Sequence, residues 1–223
     1  MTTSDDSWSN RLREIGDIER PDHFYLTPEH SCVYFGEYTA RMGWSHSATN
    51  GIVTNIKKHP SKRGTAEWRY KLGDIERVGE LIRASLRQDA LPDVTFVPAP
   101  PSKPPGHPDY DDRMLKIARA IGNDVDVRPL FQTREAREPA HLADDRPGPE
   151  VLKEGLAWCE DQLVQPLRQQ LVILDDVLVT GATFVACRDV LLERFPDKQV
   201  FGIFVARRVP LNPFTTDGIE IVG

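Results

Sequence analysis

Residues 171–183, with the sequence LVILDDVLVTGAT, constrain the fold more than any other part of the chain. The first four residues form an unalternating, β-rich apolar run, which is typical of a strand buried on both faces of a parallel sheet. Asp175 and Asp176 then stand at the carboxyl end of that strand, where open α/β sheets bind ligands. Apolar residues recur at helical spacing over 182–195, so the turn at 180–183 is predicted to open a helix.

The turn at 180–183 has the chemistry of a phosphate site. Its glycine lies between hydroxyl residues, and the backbone N–H groups and two hydroxyls converge on the positive end of a helix dipole. Two acids just before such a turn indicate a ligand that carries vicinal hydroxyls, a phosphate and a divalent metal. Phosphorylated ribose has these features.

The same pattern resembles the phosphoribosyl pyrophosphate (PRPP) motif of the type I phosphoribosyltransferases. The resemblance implies that Asp175 and Asp176 hold the ribose hydroxyls, act in catalysis and bind Mg²⁺. It implies that the 5′-phosphate is held by four consecutive residues, Thr180, Gly181, Ala182 and Thr183. Val179 departs mildly from the family, in which many members have a hydroxyl residue there.

Two other interpretations of the acid pair are open. Paired acids at a strand end also occur in receiver domains and aspartyl-phosphate hydrolases, but a receiver domain would have its acid pair near the first strand. An Asp-Asp pair before a loop is otherwise a solvated turn.

A second loop, at 96–113, contains six prolines and follows an apolar strand. Such a loop is stiff and is ordered at low conformational cost, which suits a fixed anion site. It resembles the pyrophosphate loop of the same family, particularly its orphan competence-protein branch. The resemblance implies that pyrophosphate meets Pro101, Ser102 and Lys103, with Arg113 as a further binding residue. The alternative is a surface turn with a solvated lysine.

A third loop, at 132–150, is long, polar and without an apolar period. Loops of this length inside compact domains are often lids, and the family has a flexible loop in this place. We therefore expect Arg137 to bind substrate and His141 and Arg146 to act in catalysis. The alternative for each is simple solvation.

The rest of the chain predicts an α/β fold, a doubly wound parallel sheet like that of the type I phosphoribosyltransferases, with a small N-terminal β hood. We predict a boundary between residues 1–69, an arm plus the hood, and residues 70–223, the core. The arm contains a short helix, the hood takes two or three antiparallel strands from 22–56, and 57–63 is a solvated basic loop. The core alternates helices at 72–86, 110–121 and 151–164 with strands at 94–98, 125–131 and 200–205.

Composition excludes several functional classes. The chain has 223 residues and a formal charge of −6, which argues against general nucleic-acid binding or a membrane surface. No apolar run approaches the roughly 18 residues of a membrane helix, and no signal peptide is visible, so we expect a cytoplasmic protein. Cys32, Cys159 and Cys187 are isolated, which predicts neither a disulfide framework nor a zinc site.

These observations predict a Mg²⁺-dependent phosphoribosyltransferase that takes PRPP and a nitrogenous base or small amine and releases pyrophosphate. A non-catalytic PRPP- or nucleotide-sensing regulator on the same fold is the main alternative. An effector that hydrolyses PRPP or nucleotides is a third. The acceptor and the oligomeric state are left open, with a homodimer as one option.

Overall fold

The computed structural model describes residues 7–135 and 147–210. Within them, strand order along a six-stranded sheet is β1-β2-β8-β7-β3-β4. Only β1 runs antiparallel to its neighbour, while the other five strands are parallel. The strands of this sheet are β1 (Trp8–Glu14), β2 (Cys32–Thr39), β3 (Val94–Pro98), β4 (Asp126–Val127), β7 (Gln170–Leu178) and β8 (Gln199–Val209). A separate antiparallel pair consists of β5 (Phe131–Thr133) and β6 (Leu156–Trp158).

Helices cover both faces of the large sheet. The helices are α1 (Ala48–Ile56), α2 (Trp68–Ser85), α3 (Arg113–Ala120), α4 (Pro149–Glu154) and α5 (Ala182–Arg194). Apolar residues of α1, α2 and α3 pack with Val172 and Leu174 of β7. Residues of α4 and α5 pack with Leu171 and Ile173. The protein is therefore a mixed α/β fold with a mostly parallel central sheet, as predicted.

The predicted strands and helices next to the candidate site residues are confirmed. The predicted strands at 94–98, 171–174 and 200–205 are β3, β7 and β8, and the latter two are longer than expected. The helices predicted at 72–86 and 182–195 are α2 and α5. No helix among the described residues is both long and apolar enough to cross a membrane.

The N-terminal predictions were wrong in detail, and the β hood is not confirmed. Residues 8–14 form an edge strand instead of a short helix, and β2 lies inside the large sheet, between β1 and β8. The segment at 50–58, predicted as a strand, is mostly α1. Its helix begins where the Ser47 hydroxyl accepts a hydrogen bond from the Asn50 amide (3.1 Å), and Ile52 and Ile56 share its buried face.

Three core elements also differ from their predicted bounds. α4 begins earlier than predicted and gives way at Gly155 to β6, so the helix predicted at 151–164 was wrong from Gly155 onward. The strand predicted at 125–131 is divided by Pro129 into β4 and β5. α3 begins at Arg113 and not at Tyr110. The boundary predicted between 69 and 70 stays a prediction, although one sheet contains strands from both sides of it.

Candidate functional site

A cleft of about 390 Å³ lies at the carboxyl ends of β3 and β7. These two strands are adjacent, and the chain leaves β3 toward β4 on one side and β7 toward β8 on the other. This is the topological switch point at which open α/β sheets bind ligands. Sequence-predicted residues from separate segments line the cleft: Pro101, Ser102, Arg113, Asp175, Asp176, Thr180, Gly181, Ala182 and Thr183.

The turn before α5 forms one wall of the cleft. Gly181 is the N-cap of α5 and has φ of +86°, the left-handed region that favours glycine. The first hydrogen bond of the α-helix runs from the Val185 amide to the Gly181 carbonyl (3.0 Å). As in any α-helix, the amides just before this one have no carbonyl partner within the helix. These donors and the Thr180 and Thr183 hydroxyls border the cleft at a helix N-terminus, an arrangement that suits an anion.

The two acids of β7 point to opposite faces of the sheet, because successive side chains of a strand alternate. Asp175 has the same parity as Leu171 and Ile173, whose side chains pack with α5, and on that basis we assign it to the α5 face. Its Oδ1 accepts a hydrogen bond from the Asp176 amide (2.8 Å). Burial and, secondarily, the negative charge of Asp176 raise the pKa of Asp175 to about 7.

Asp176 lies on the other face and is 5% exposed. Its Oδ1 accepts a hydrogen bond from Lys57 Nζ (3.0 Å), and its Oδ2 accepts one from Arg113 Nε (2.8 Å). A second nitrogen of Arg113 also contacts Oδ2. Burial opposes ionisation, but the charges of Arg113 and Lys57 outweigh it and hold the pKa of Asp176 well below its usual range.

This ion-pair network continues from Arg113 through Asp111, which also lines the cleft, to Lys71. Arg113 Nη1 donates to Asp111 Oδ2 (2.9 Å), and the same oxygen accepts from Lys71 Nζ (2.7 Å). Lys71 is 1% exposed and also donates to the Lys58 carbonyl (2.8 Å). We call the five side chains Lys57, Lys71, Asp111, Arg113 and Asp176 the charge network. Arg113, predicted to bind substrate, is thus engaged by two carboxylates.

The proline-rich loop reaches the cleft through part of its predicted segment. Pro101 and Ser102 line the cleft. Lys103 also lies within the described residues, but it does not line the cleft. The Pro101 carbonyl accepts a hydrogen bond from the Thr133 hydroxyl (2.5 Å), which ties this loop to β5. Lys103 as a pyrophosphate ligand stays a prediction.

The predicted lid is only partly described. Arg137, His141 and Arg146 lie outside the described residues. The two described ends of the 132–150 interval belong to β5 and α4, where the sequence indicated no regular structure. Pro147 and Leu152 bring this part of the chain to the cleft.

Sequence reasoning missed Lys57. We favoured a solvated loop for residues 57–63, yet Lys57 lines the cleft and binds Asp176, and Arg63 Nη2 donates to the Tyr110 carbonyl (2.9 Å). Lys57 caps the C-terminus of α1. The sequence analysis did not place Lys57 at the cleft because it predicted the preceding segment as a strand and not as a helix. The available signal was the Ser47 cap followed by apolar residues at helical spacing.

Asp175 and Asp176 differ in how well they could bind a metal ion. Both oxygens of Asp176 are bound by cations, whereas the described part of the chain gives Asp175 no ion-pair partner. No cluster of three or more metal-binding side chains occurs within 7–135 and 147–210. Because Mg²⁺ is often held by one or two carboxylates plus substrate phosphates, Asp175 fits as a single protein ligand.

Comparisons with known proteins add little. No protein-family model and no curated protein matches the sequence. Among solved structures, a hypoxanthine phosphoribosyltransferase from Staphylococcus aureus matches with a TM-score of 0.37 and 12% identity. The match covers 63% of this chain and 76% of that chain. So distant a likeness shows neither a family nor a function for this chain.

Proposed function

We propose that the chain is a Mg²⁺-dependent phosphoribosyltransferase. The observation that carries this proposal is the convergence of Asp175, the 180–183 turn and the 101–102 loop on one cleft at the switch point of the sheet. PRPP has a 5′-phosphate, vicinal ribose hydroxyls and a pyrophosphate on C1. The three parts of the cleft offer a partner for each.

In this proposal the 5′-phosphate binds at the N-terminus of α5. The amides there carry partial positive charge, and the Thr180 and Thr183 hydroxyls add donors. The Ala182 amide lies 3.4 Å from the Thr180 hydroxyl oxygen, which keeps that side chain against the turn.

Asp175 accepts hydrogen bonds from the ribose hydroxyls. A nitrogen of the acceptor attacks C1 as the C1–O bond to pyrophosphate breaks, and the bonding electron pair leaves with the pyrophosphate. Positive charge develops on the ribose ring, and the Asp175 carboxylate stabilises it. Asp175 and PRPP itself would hold Mg²⁺, and the positive charge of the ion would offset the negative charge of the leaving pyrophosphate.

Asp176 has a different role in this proposal. Its carboxylate holds Arg113 and Lys57 at the cleft, so that two cations flank the ligand without unpaired buried charge. The acceptor meets an apolar part of the lining that includes Pro100 and Phe131. Such a surface suits a planar nitrogenous base better than a charged amine.

A non-catalytic PRPP-binding regulator is the second candidate. The observation that favours it is the engagement of both Asp176 oxygens, which leaves one acid of the pair for the ribose and metal. Such a regulator would bind PRPP and release no pyrophosphate.

Calorimetric titration with Mg²⁺-PRPP, followed by a pyrophosphate-release assay with a panel of bases, tests the proposal. An enzyme releases pyrophosphate only when the correct base is present, a regulator binds without release, and a hydrolytic effector releases it without a base. Absence of PRPP binding by the intact protein would refute both main candidates.

Gly181→Ala tests whether the turn is the phosphate site. A side chain at φ +86° costs roughly 1–2 kcal/mol, and the new Cβ would lie 2.7 Å from Leu26 Cδ2. We expect the turn to relieve this strain by leaving its phosphate-binding geometry, with about tenfold weaker PRPP binding. Gly64→Ala is the matched control, since Gly64 has φ of +81° and open space around it. Equal affinity of the two variants would contradict the assignment.

A further inference from the structure

The turn between β7 and α5 is held by a segment that lies about 150 residues earlier in the chain. Residues 23–26 run alongside it and contact three of its consecutive residues, Val179, Thr180 and Gly181. We call residues 23–26 the clamp. The sequence predicted a hood strand here, but the segment is irregular.

Each contact of the clamp restrains a different backbone group. His23 Nδ1 lies 2.7 Å from the Val179 carbonyl oxygen. The Tyr25 amide donates to the Thr180 carbonyl (2.8 Å). The Leu26 side chain packs over Gly181, where it occupies the space that a Cβ would take. The clamp therefore fixes two carbonyls and covers the glycine between the strand and the helix.

His23 is fully buried, with 0% of its surface exposed. Because the Val179 carbonyl can only accept, Nδ1 carries the hydrogen, and burial lowers the pKa of the ring so that it is neutral. Nε2 is then a bare acceptor, buried without a hydrogen-bond partner among the described residues. The one hydrogen bond that this buried ring makes among the described residues therefore goes to the backbone of the turn.

The residues on either side of the clamp, Asp22 and Thr27, anchor it to the rest of the protein. Arg207 of β8 donates from Nη1 to Asp22 Oδ2 (3.0 Å) and from Nη2 to Glu37 Oε1 of β2 (2.7 Å). Arg20 donates to the Thr27 carbonyl (2.7 Å) and the Ile15 carbonyl (3.0 Å). The restraint on the turn is therefore transmitted from β2 and β8.

A phosphate site built from backbone amides depends on the turn being fixed before the ligand arrives, since ordering it on binding would weaken affinity. Because Gly181 has no side chain, its own backbone conformation is little restricted. We infer that His23 is a positioning residue, which holds the 179–181 backbone in the geometry that binds a phosphate. This inference rests on the proposed phosphate role of the turn.

The test compares His23→Leu with His23→Asn. Leucine fills the space but has no donor for the Val179 carbonyl, whereas the asparagine amide nitrogen can replace Nδ1. In the ligand-free protein, we expect amides 179–183 to exchange about tenfold faster in His23→Leu and at nearly the original rate in His23→Asn. Affinity for ribose 5-phosphate, measured by calorimetry, should fall about tenfold in His23→Leu and recover in His23→Asn.

Ile82→Val is the control for general destabilisation, because Ile82 is 2% exposed in the core on the opposite face of the sheet. It should leave exchange at 179–183 and ribose 5-phosphate affinity unchanged. The inference is overturned if His23→Leu leaves both readouts unchanged, if His23→Asn loses as much as His23→Leu, or if exchange rises equally throughout the sheet. Failure of the original protein to bind ribose 5-phosphate would refute the phosphate assignment instead, and local exchange would still decide whether the clamp fixes the turn.

Discussion

The two faces of the sheet at the end of β7 hold neighbouring acids in opposite surroundings. On the α5 face, Asp175 lies beside a turn whose positive potential comes from backbone amides. On the other face, Asp176 lies between a guanidinium and an ammonium group. Burial raises the pKa of the first acid, whereas the paired cations lower the pKa of the second despite its burial.

The difference shows two ways to place charge at a binding site. Backbone dipoles create an anion site without introducing a formal charge, so nothing needs to neutralise them before the ligand binds. Formal charges that are buried require partners, and here those partners occupy both oxygens of Asp176. The α5 face is therefore suited to bind ligand directly, while the charge network shapes the opposite side of the cleft.

Arg113→Met should produce the largest effect on stability. It leaves Asp111 and Asp176 without their shared cation, and breaking a buried ion pair typically costs about 3 kcal/mol or more. Urea denaturation should show that loss in the free energy of unfolding. Arg119→Met is the control on the same helix, because Arg119 is exposed. Equal stability of the two variants would show that the charge network is not coupled to folding.

Asp175→Asn should change the pH dependence of stability. The folded pKa of about 7 exceeds the ordinary value of 3.8, so the folded state binds more protons between these values. The Asp175 contribution is then fully present below about pH 4 and is lost as the pH rises to about 7. Asparagine does not ionise, so the Asp175→Asn variant does not lose this stability as the pH rises. We expect it to be more stable than the original protein at about pH 8, by on the order of 2 kcal/mol, with the gap closing toward pH 4.

Asp176→Asn should change stability at neutral pH in the opposite direction to Asp175→Asn. Because its folded pKa is lowered, Asp176 stabilises the protein above its ordinary pKa and loses this contribution as the pH falls through the folded value. The variant should therefore be less stable than the original protein at neutral pH. Parallel pH profiles for the two asparagine variants, obtained by thermal denaturation, would contradict the opposite pKa shifts of the two acids.

Lys57→Met should have the smallest effect. The Lys57 side chain is 39% exposed, and Asp176 keeps Arg113 when Lys57 is removed. We expect a loss of less than about 1 kcal/mol in urea denaturation. Lys58→Met is the adjacent control, since Lys58 Nζ lies over the Tyr70 ring (5.6 Å) and not against Asp176. Only Lys57→Met should raise the pKa of Asp176, which NMR titration of its carboxyl carbon can measure.

The β7–α5 region was predictable because its signals are local. Four apolar residues predicted the buried strand, and the helical period after Ala182 predicted α5 and the turn that opens it. The N-terminal region was harder, because short apolar runs suit a strand or a helix equally well. At residues 50–58 only the Ser47 cap distinguished the two.

The sequence by itself determined the alternation of helices and strands in the core, the position of the acids at a sheet edge and the glycine turn before α5. These depend on periodicity and on backbone conformation, which neighbouring residues specify. Only the tertiary structure decided that Asp176 belongs to Arg113 and Lys57, that β2 lies inside the sheet and that His23 contacts the turn. These contacts join residues far apart in the chain, and no local pattern encodes which distant segments will meet.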